Sequence, residues 1–285
     1  MAELYEISQW PDVTDPVLVV ALDGWIDAGM GAGAAMSHLT QEMDTTLVAT
    51  FDAELLIDYR SRRPIMHLVE GVNTKLTWPS IELRHGVDTE GNDLLLLSGA
   101  EPDVRWQTFT DDVVGLIDDL GVGLVVGLGA YPAAVPHTRA TRLSTSASTA
   151  ELAARVGQLA GTLDVPAGVQ AAIERRCAEE GVPNVGIWAQ VPHYVAGMPY
   201  PGASVALLEG LEKVAGVRVD LDALREADRL LKLRLDTLVG ENPEHVEMVR
   251  QLEHAYDESS ELLGPVPTGD ELAAEVERYL RELDR

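Results

Sequence analysis

A glycine cluster in residues 17–39 follows an apolar run and precedes an amphipathic segment, the order that nucleotide-binding proteins use to hold phosphates. Residues 29–34, GMGAGA, satisfy the pattern G-x-G-x-x-A, and Asp52 follows the next apolar run, where an acid that binds a ribose would stand. The pattern needs its first glycine directly after the strand, so that the pyrophosphate meets the helix N-terminus. Here DGWIDA intervenes, and it brings the carboxylates of Asp23 and Asp27 to the place where a dianion would bind.

The same stretch has a plainer interpretation as a close-packed turn. Gly24 permits an unusual backbone conformation after the strand, and Asp27 can cap the following helix. Small residues around Gly29 let that helix lie close to a sheet, while Trp25 is large enough to pack at a strand end or at a subunit contact. We therefore expect packing rather than phosphate binding here.

Other polar side chains are expected where parallel strands end, because open α/β sheets form their crevice at that edge. The candidates for a ligand crevice are Asp23, Asp27, Glu101, His137, Arg139, Arg142 and His193. His137 and Arg139 could hold an anion beside the hydroxyls of LSTSAS (143–148). Alternatively, both histidines are structural: His137 hydrogen-bonds a carbonyl in its loop, and His193 is a satisfied residue at a buried strand end.

Several kinds of chemistry find no support in the sequence. There is no Gly-Lys-Ser/Thr for a phosphate loop and no G-x-S-x-G nucleophile elbow. Cys177 is the only cysteine, which excludes an internal disulfide and a cysteine-based zinc site, and we interpret it as a packed thiol. No histidine spacing is typical of a metal site, so we expect neither metal nor cofactor, and catalytic residues cannot be assigned.

The net charge and the hydropathy of the chain limit the classes of binding partner and the cellular compartment to be expected. A net charge of −26 over 285 residues argues against binding nucleic acid or anionic membranes, which require clustered Lys and Arg. The first residues, MAELYEISQWPD, show neither the basic nor the apolar region of a signal peptide, and no apolar run approaches the roughly 20 residues of a membrane span. We expect a cytoplasmic protein.

Apolar runs alternate with helical segments along the first two thirds of the chain, which predicts an α/β fold with a mainly parallel sheet. The predicted strands are 17–22, 45–51, 94–98, 123–129 and 184–191, and the alternation in 65–85 indicates an antiparallel ribbon at an edge. Helices are predicted at about 30–43, 103–120 and 167–180, then from 203. A helical hairpin (219–240 and 245–264) and a last helix (271–283) follow, so we expect a core domain, 1–215, and a helical domain, 216–285.

Five segments resemble, in the same order, the PAC2 family of proteasome assembly chaperone 2-like proteins, above all its actinobacterial branch. They are GWIDAG (24–29), the stretch 123–142, LSTSAS (143–148), PAGV (166–169) and the stretch 187–211 with VPHYVAG and PYPG. The resemblance covers about residues 15–260. It implies a three-layer α/β/α core similar to phosphorylase/hydrolase-like folds, with a C-terminal helical hairpin.

The resemblance also implies self-association, for which a trimer is one suitable arrangement, and a link to 20S proteasome assembly. Eukaryotic and archaeal relatives bind proteasome α-subunits through a C-terminal hydrophobic-Tyr-X tail. This sequence ends YLRELDR, with Tyr279 six residues before the end, so docking through such a tail is not expected. The favoured hypothesis is a non-enzymatic oligomer with a chaperone or scaffold role. The alternative is an enzyme or binding protein for a small anionic ligand at the carboxyl edge of the sheet.

Overall fold

The structure is a computed structural model that describes residues 4–157 and 162–262. Ten strands occur in the described residues: β1 Tyr5–Ile7, β2 Val17–Asp23, β3 Thr46–Phe51, β4 Ile65–Val69, β5 Val72–Thr77, β6 Ile81–Val87, β7 Asp93–Ala100, β8 Leu124–Ala133, β9 Leu143–Ala147 and β10 Asn184–Pro192. The helices are α1 Gly31–Glu42, α2 Ala53–Leu56, α3 Trp106–Asp119, α4 Ala150–Ala154, α5 Val169–Glu179, α6 Pro201–Ala215, α7 Asp222–Gly240 and α8 Pro243–Leu262.

Eight of these strands form one mixed sheet in the order β1-β3-β6-β7-β2-β8-β10-β9. The pairs β7-β2, β2-β8 and β8-β10 are parallel, whereas β1, β6 and β9 pair antiparallel with their neighbours. Five of the eight strands therefore run in one direction, and the predicted α/β class with a mainly parallel, mixed sheet is confirmed.

Two buried clusters show that the sheet is covered on both faces. On β2, Val19 and Ala21 pack with α1 and α6, whereas Leu18 and Val20 pack with α3 and α5. Alternate residues of a strand point to opposite faces, so a strand covered on both sides must be apolar throughout. This is why the continuous run VLVVAL forms a central strand of a three-layer sandwich.

Residues 65–85 differ from the predicted edge ribbon. β6 is an interior strand between β3 and β7, and its inward residues Ile81 and Leu83 are buried. β4 and β5 form a separate two-stranded antiparallel sheet in which every residue is exposed. Both halves are antiparallel, as predicted, but the sequence alternation could not show that one half enters the main sheet.

The chain divides into two compact units, with the boundary after Leu235 inside α7. The described part of the second unit is the end of α7 and α8, two helices joined by Glu241 and Asn242. The domain boundary expected at residue 215 stays a prediction. The expected last helix at 271–283, with Tyr279, lies outside the described residues. None of the described helices combines the length and apolar character that crossing a membrane demands.

Candidate functional site

Three of the predicted crevice residues meet where β2, β7 and β8 run side by side. Asp23 is the last residue of β2, and its carbonyl accepts a hydrogen bond from the backbone N–H of Glu101, just after β7, at 2.7 Å. Asp27 forms an isolated bridge with Ala130 of β8. The carboxyl edge of the sheet therefore brings Asp23, Asp27 and Glu101 together, as the rule for open α/β sheets predicts.

A cavity of about 760 Å³ opens beside these three acids. Its volume is in the range of pockets that hold small organic ligands. Its apolar wall includes Leu22, Trp25, Ile26, Leu128 and Trp188. Its polar wall includes Asp23, Asp27, Glu101, Ser144, Ser146, Gln170 and Glu174.

The glycine segment beside the cavity is tightly packed. Gly29 has φ +65°, and a Cβ built on it would lie 2.7 Å from Cβ of Tyr200. Its backbone N–H donates to the carbonyl of Ala196, and its carbonyl accepts from the N–H of Tyr200, both at 2.8 Å. Gly24 has φ +142°, and a Cβ there would collide with the guanidinium of Arg62. Backbone conformation favours glycine at both positions, and at Gly29 the close approach of Tyr200 Cβ also requires it, whereas the Arg62 side chain near Gly24 could move.

Asp27 caps α1, as the sequence suggested. Its Oδ1 accepts a hydrogen bond from the backbone N–H of Ala32 at 2.8 Å, and its Oδ2 accepts from that of Gly33 at 2.9 Å. The Asp27 carboxylate therefore already accepts hydrogen bonds from the N-terminal N–H groups of α1 and interacts with the positive end of its dipole. A phosphate would have to displace Asp27 to use this helix N-terminus.

Glu101 caps the N-terminus of α5 in the same way as Asp27 caps α1. Its Oε1 accepts a hydrogen bond of 2.6 Å from the backbone N–H of Val169, the first residue of that helix. Trp25, about half exposed, lies over Gly168, where an added Cβ would be 3.1 Å from the indole. Since two helix N-termini at this edge are capped by carboxylates, the cavity is unfavourable for anions.

Asp23 lines the cavity between these two caps. Loss of bulk water around the carboxylate raises its pKa, the negative charge of Asp27 raises it further, and Arg62 partly opposes both effects. Arg62 donates to the backbone carbonyl of Asp23 at 2.6 Å and pairs with Asp103 at 3.4 Å. Arg62 is thus engaged with the backbone and with another acid.

Glu174 is a buried acid of the cavity wall that the sequence analysis missed. It is 8% exposed and accepts hydrogen bonds from Ser146 Oγ at 3.0 Å and from Gln170 Nε2 at 3.1 Å. Gly127 and Gly186 are register partners on β8 and β10, and a Cβ on them would lie 2.5 and 2.6 Å from Glu174 Oε1. The two glycines therefore leave the space that the carboxylate fills.

The remaining predicted residues lie elsewhere. Among the described residues, His137, Arg139, Arg142 and His193 are not part of the cavity wall. The ring and the backbone N–H of His137, which is fully buried, contact the hydroxyl of Tyr194 at 2.6 and 2.8 Å. His193, exposed, packs edge-on against the same tyrosine ring. Arg139 lies in the loop between β8 and β9, and the carbonyl of Arg142 accepts from the N–H of Gln190 at 2.9 Å.

The serine hydroxyls of the cavity wall are hydrogen-bonded to neighbouring side chains, and the cysteine nearby is buried. Ser144 Oγ contacts the hydroxyl of Tyr131 and the amide of Gln190, and Ser146 donates to Glu174. A nucleophilic serine normally needs an imidazole base, and no described residue of the wall is a histidine. Cys177 is buried, and burial together with the nearby Glu174 raises the pKa of its thiol to about 11, which agrees with the packed role expected for it.

Comparisons with known proteins identify the fold's relatives. No curated protein matches the sequence. A Corynebacterium glutamicum protein of unknown function is 33% identical, with a TM-score of 0.87 over 91% of this chain and 99% of that one. A Mycobacterium tuberculosis proteasome-assembly chaperone homologue is 36% identical, with a TM-score of 0.76 over 82% and 99%. A Streptomyces avermitilis PAC2 family protein is 38% identical, with a TM-score of 0.74 over 82% and 100%.

The family match spans residues 21–239, which include the glycine segment, the strands β3 to β10 and the described wall of the cavity. The similar structures from three actinobacterial species agree with the branch that the motifs GWIDAG and VPHYVAG indicate. The chain belongs to the PAC2 family.

Proposed function

We propose that this PAC2 protein is a non-enzymatic homo-oligomer that assists the assembly of a protein complex, with proteasome subunits as its partners. The similarity to the Mycobacterium tuberculosis proteasome-assembly chaperone homologue supports the choice of partner. The observation that carries the proposal is an exposed apolar ribbon, defined as strands β4 and β5, Ile65–Thr77.

The ribbon exposes its apolar side chains to water. Its apolar side chains are 41 to 64% exposed: Ile65, Met66, Leu68, Val69, Val72 and Leu76. A two-stranded sheet without a covered face is marginal on its own, and a contiguous apolar patch on a soluble protein usually marks an interface. The ribbon therefore needs a protein surface to cover it.

A second copy of the chain is the occupant that the charges favour. Two molecules that each carry a net charge of −26 repel one another over most of their surfaces. The ribbon has one carboxylate, Glu70, one ammonium group, Lys75, and one histidine, His67, so copies can approach there with little repulsion. Its outer strand edges also offer unpaired backbone groups, which can form an intermolecular sheet.

The chemistry around the cavity supports a non-enzymatic role. The serines there have no imidazole partner among the described residues, and the only cysteine is buried. The alternative, an anionic ligand at the carboxyl edge, finds no support in the charges. Asp27 and Glu101 occupy the helix N-termini that would attract the anion.

Replacing one apolar side chain of the ribbon tests the proposal. We expect Leu68→Glu to shift the oligomer towards monomer in analytical ultracentrifugation, because the added carboxylates would face each other across the interface. Leu238→Glu, on α7, is the matched control, since Leu238 is 59% and Leu68 57% exposed. A wild-type monomer, or an oligomer that Leu68→Glu leaves unchanged, would refute the role of the ribbon.

A further inference from the structure

Two tryptophan side chains of the cavity wall pack on glycines. Trp188 is the register partner of Gly129 on β8, and a Cβ on that glycine would lie 2.4 Å from Cε3 and from Cζ3 of the indole. A Cβ on Gly168 would lie 3.1 Å from the indole of Trp25. Each indole therefore rests on backbone, and since Trp25 is half exposed and Trp188 is partly exposed, part of each ring remains open to the cavity.

The two indoles belong to one region of the wall. Asp27, two residues after Trp25, forms the bridge with Ala130 of β8, and Trp188 lies on β10, the strand paired with the other side of β8. Paired strands lie only about 4.8 Å apart. One molecule of the size that the cavity holds can therefore contact both rings.

Neither indole N–H of this region is used within the described residues. Trp106, outside the described wall, donates its Nε1–H to the carbonyl of Pro102 at 2.6 Å, whereas Trp25 and Trp188 donate to no described residue. The nitrogen of Trp188 is not among the fully buried atoms without a partner, so it is accessible. Indole N–H groups usually have an acceptor where the ring is buried. The wall thus offers two donors to an oxygen atom of a bound molecule.

The charges of the wall favour an uncharged ligand. Asp27 and Glu101 already cap α1 and α5, so an anion would meet carboxylates instead of free helix N–H groups. Asp23 is exposed near Arg62, and Glu174 already accepts two hydrogen bonds, so an organic cation would find no uncompensated buried carboxylate. Burying a charge without a partner is costly, whereas an uncharged aromatic molecule avoids this cost.

We propose that this cavity binds an uncharged, planar aromatic molecule that carries a carbonyl or ether oxygen. Its rings pack against the indoles of Trp25 and Trp188, and its oxygen accepts a hydrogen bond from an indole N–H. The 760 Å³ of the cavity accommodates two or three fused rings with small substituents. This binding is separate from the proposed assembly role, since the ribbon contributes no residue to the described wall.

Two fluorescent probes of nearly equal size test the proposal on the full-length protein at neutral pH. They are 7-diethylaminocoumarin-3-carboxamide, which is uncharged, and the corresponding 3-carboxylate; both are planar and carry a ring carbonyl. We expect fluorescence anisotropy to show that the carboxamide binds at least about tenfold tighter, because the carboxylate must leave water beside other carboxylates. Equal binding of the two probes, or no binding of the carboxamide, would overturn the proposal.

An exposed tryptophan elsewhere provides a matched control for the indole contact. Trp25→Ala should weaken binding of the carboxamide by about three- to tenfold, because the aromatic contact is lost. Trp10→Ala should leave binding unchanged, since Trp10 is 52% exposed, similar to the 48% of Trp25, but lies outside the described wall. Unchanged binding by Trp25→Ala would refute the assignment.

Two further variants distinguish the cavity from other apolar surfaces. Ala171→Leu enlarges a side chain of the wall on α5 and should weaken binding, whereas Ala172→Leu, the next position and outside the described wall, should not. Thermal unfolding of both variants verifies that they fold. Leu68→Glu, in the ribbon, should also leave binding unchanged; loss of binding in this variant would show that the probe binds the ribbon and would contradict the proposal.

Discussion

Replacing Gly29 by alanine separates a packed turn from a phosphate cradle. At φ +65° an alanine costs about 1 kcal/mol in backbone strain. Its Cβ would lie 2.7 Å from Cβ of Tyr200, closer than real side chains approach, and overpacking of this kind costs about 1–3 kcal/mol. We expect Gly29→Ala to lower the free energy of unfolding by about 2–4 kcal/mol.

Gly121 is the matched control for this measurement. It has φ +64°, almost the same as Gly29, but a Cβ there would meet no atom within 4 Å. Gly121→Ala should therefore lose only the backbone part, about 1 kcal/mol. Guanidinium chloride unfolding of both variants, at one protein concentration, gives the comparison. If Gly29→Ala loses no more stability than Gly121→Ala, close packing against Tyr200 is not the reason that position 29 needs a glycine.

Two further predictions concern titratable groups. Burial alone would raise the pKa of Asp88, but hydrogen bonds from the N–H groups of Arg218, Asn92 and Glu90 and from the Asn92 side chain lower it below 3.8. The ionised Asp88 therefore stabilises the folded protein fully above about pH 3.8, and this stabilisation is lost as the pH falls through the pKa of the folded state. Asp88→Asn should lower the free energy of unfolding in urea by about 1–3 kcal/mol at pH 7 and by less at pH 3. An equal loss at both pH values would contradict this. Cys177, with a thiol pKa of about 11, should react with a disulfide reagent at pH 8 at least about a hundredfold slower in the native than in the unfolded protein, and similar rates would show that the thiol is accessible.

The sequence predicted the central strands well because they are buried on both faces. Runs such as VLVVAL (17–22) and LLLL (94–97) have no polar side chain to place in water, so they can be recognised as strands without knowing their partners. The alternation in residues 65–85 was ambiguous, because an alternating strand can border a core or remain exposed. β6 borders the core through Ile81 and Leu83, whereas the ribbon does not, and only tertiary pairing distinguishes them.

Part of the candidate site could be predicted from the sequence, because the order of strands and helices alone determines which strand ends lie together. Asp23, Asp27 and Glu101 follow strand ends, so topology alone brings them together. His137 lies four residues beyond the end of β8, and that distance is enough for its loop to take it to Tyr194 instead of the cavity. Glu174 was missed because it stands in a charged helix, AIERRCAEE, that resembles a solvated surface.

The sequence held only an indirect indication that another group approaches the strands where Glu174 lies. Gly127 and Gly186 interrupt two otherwise apolar strands, and glycine inside a strand often marks a close approach by another group. The two strands had to be paired in register before the two glycines could be seen as one gap. Sequence patterns give the faces of elements, but they do not give the register between distant strands.

Native mass spectrometry of the purified protein, alone and mixed with 20S proteasome α-subunits from the same organism, tests the proposed assembly role most directly. We expect a homo-oligomer that takes up α-subunits, and we expect Leu68→Glu to reduce the oligomer. A monomeric protein that leaves the α-subunits free would contradict both parts of the proposal.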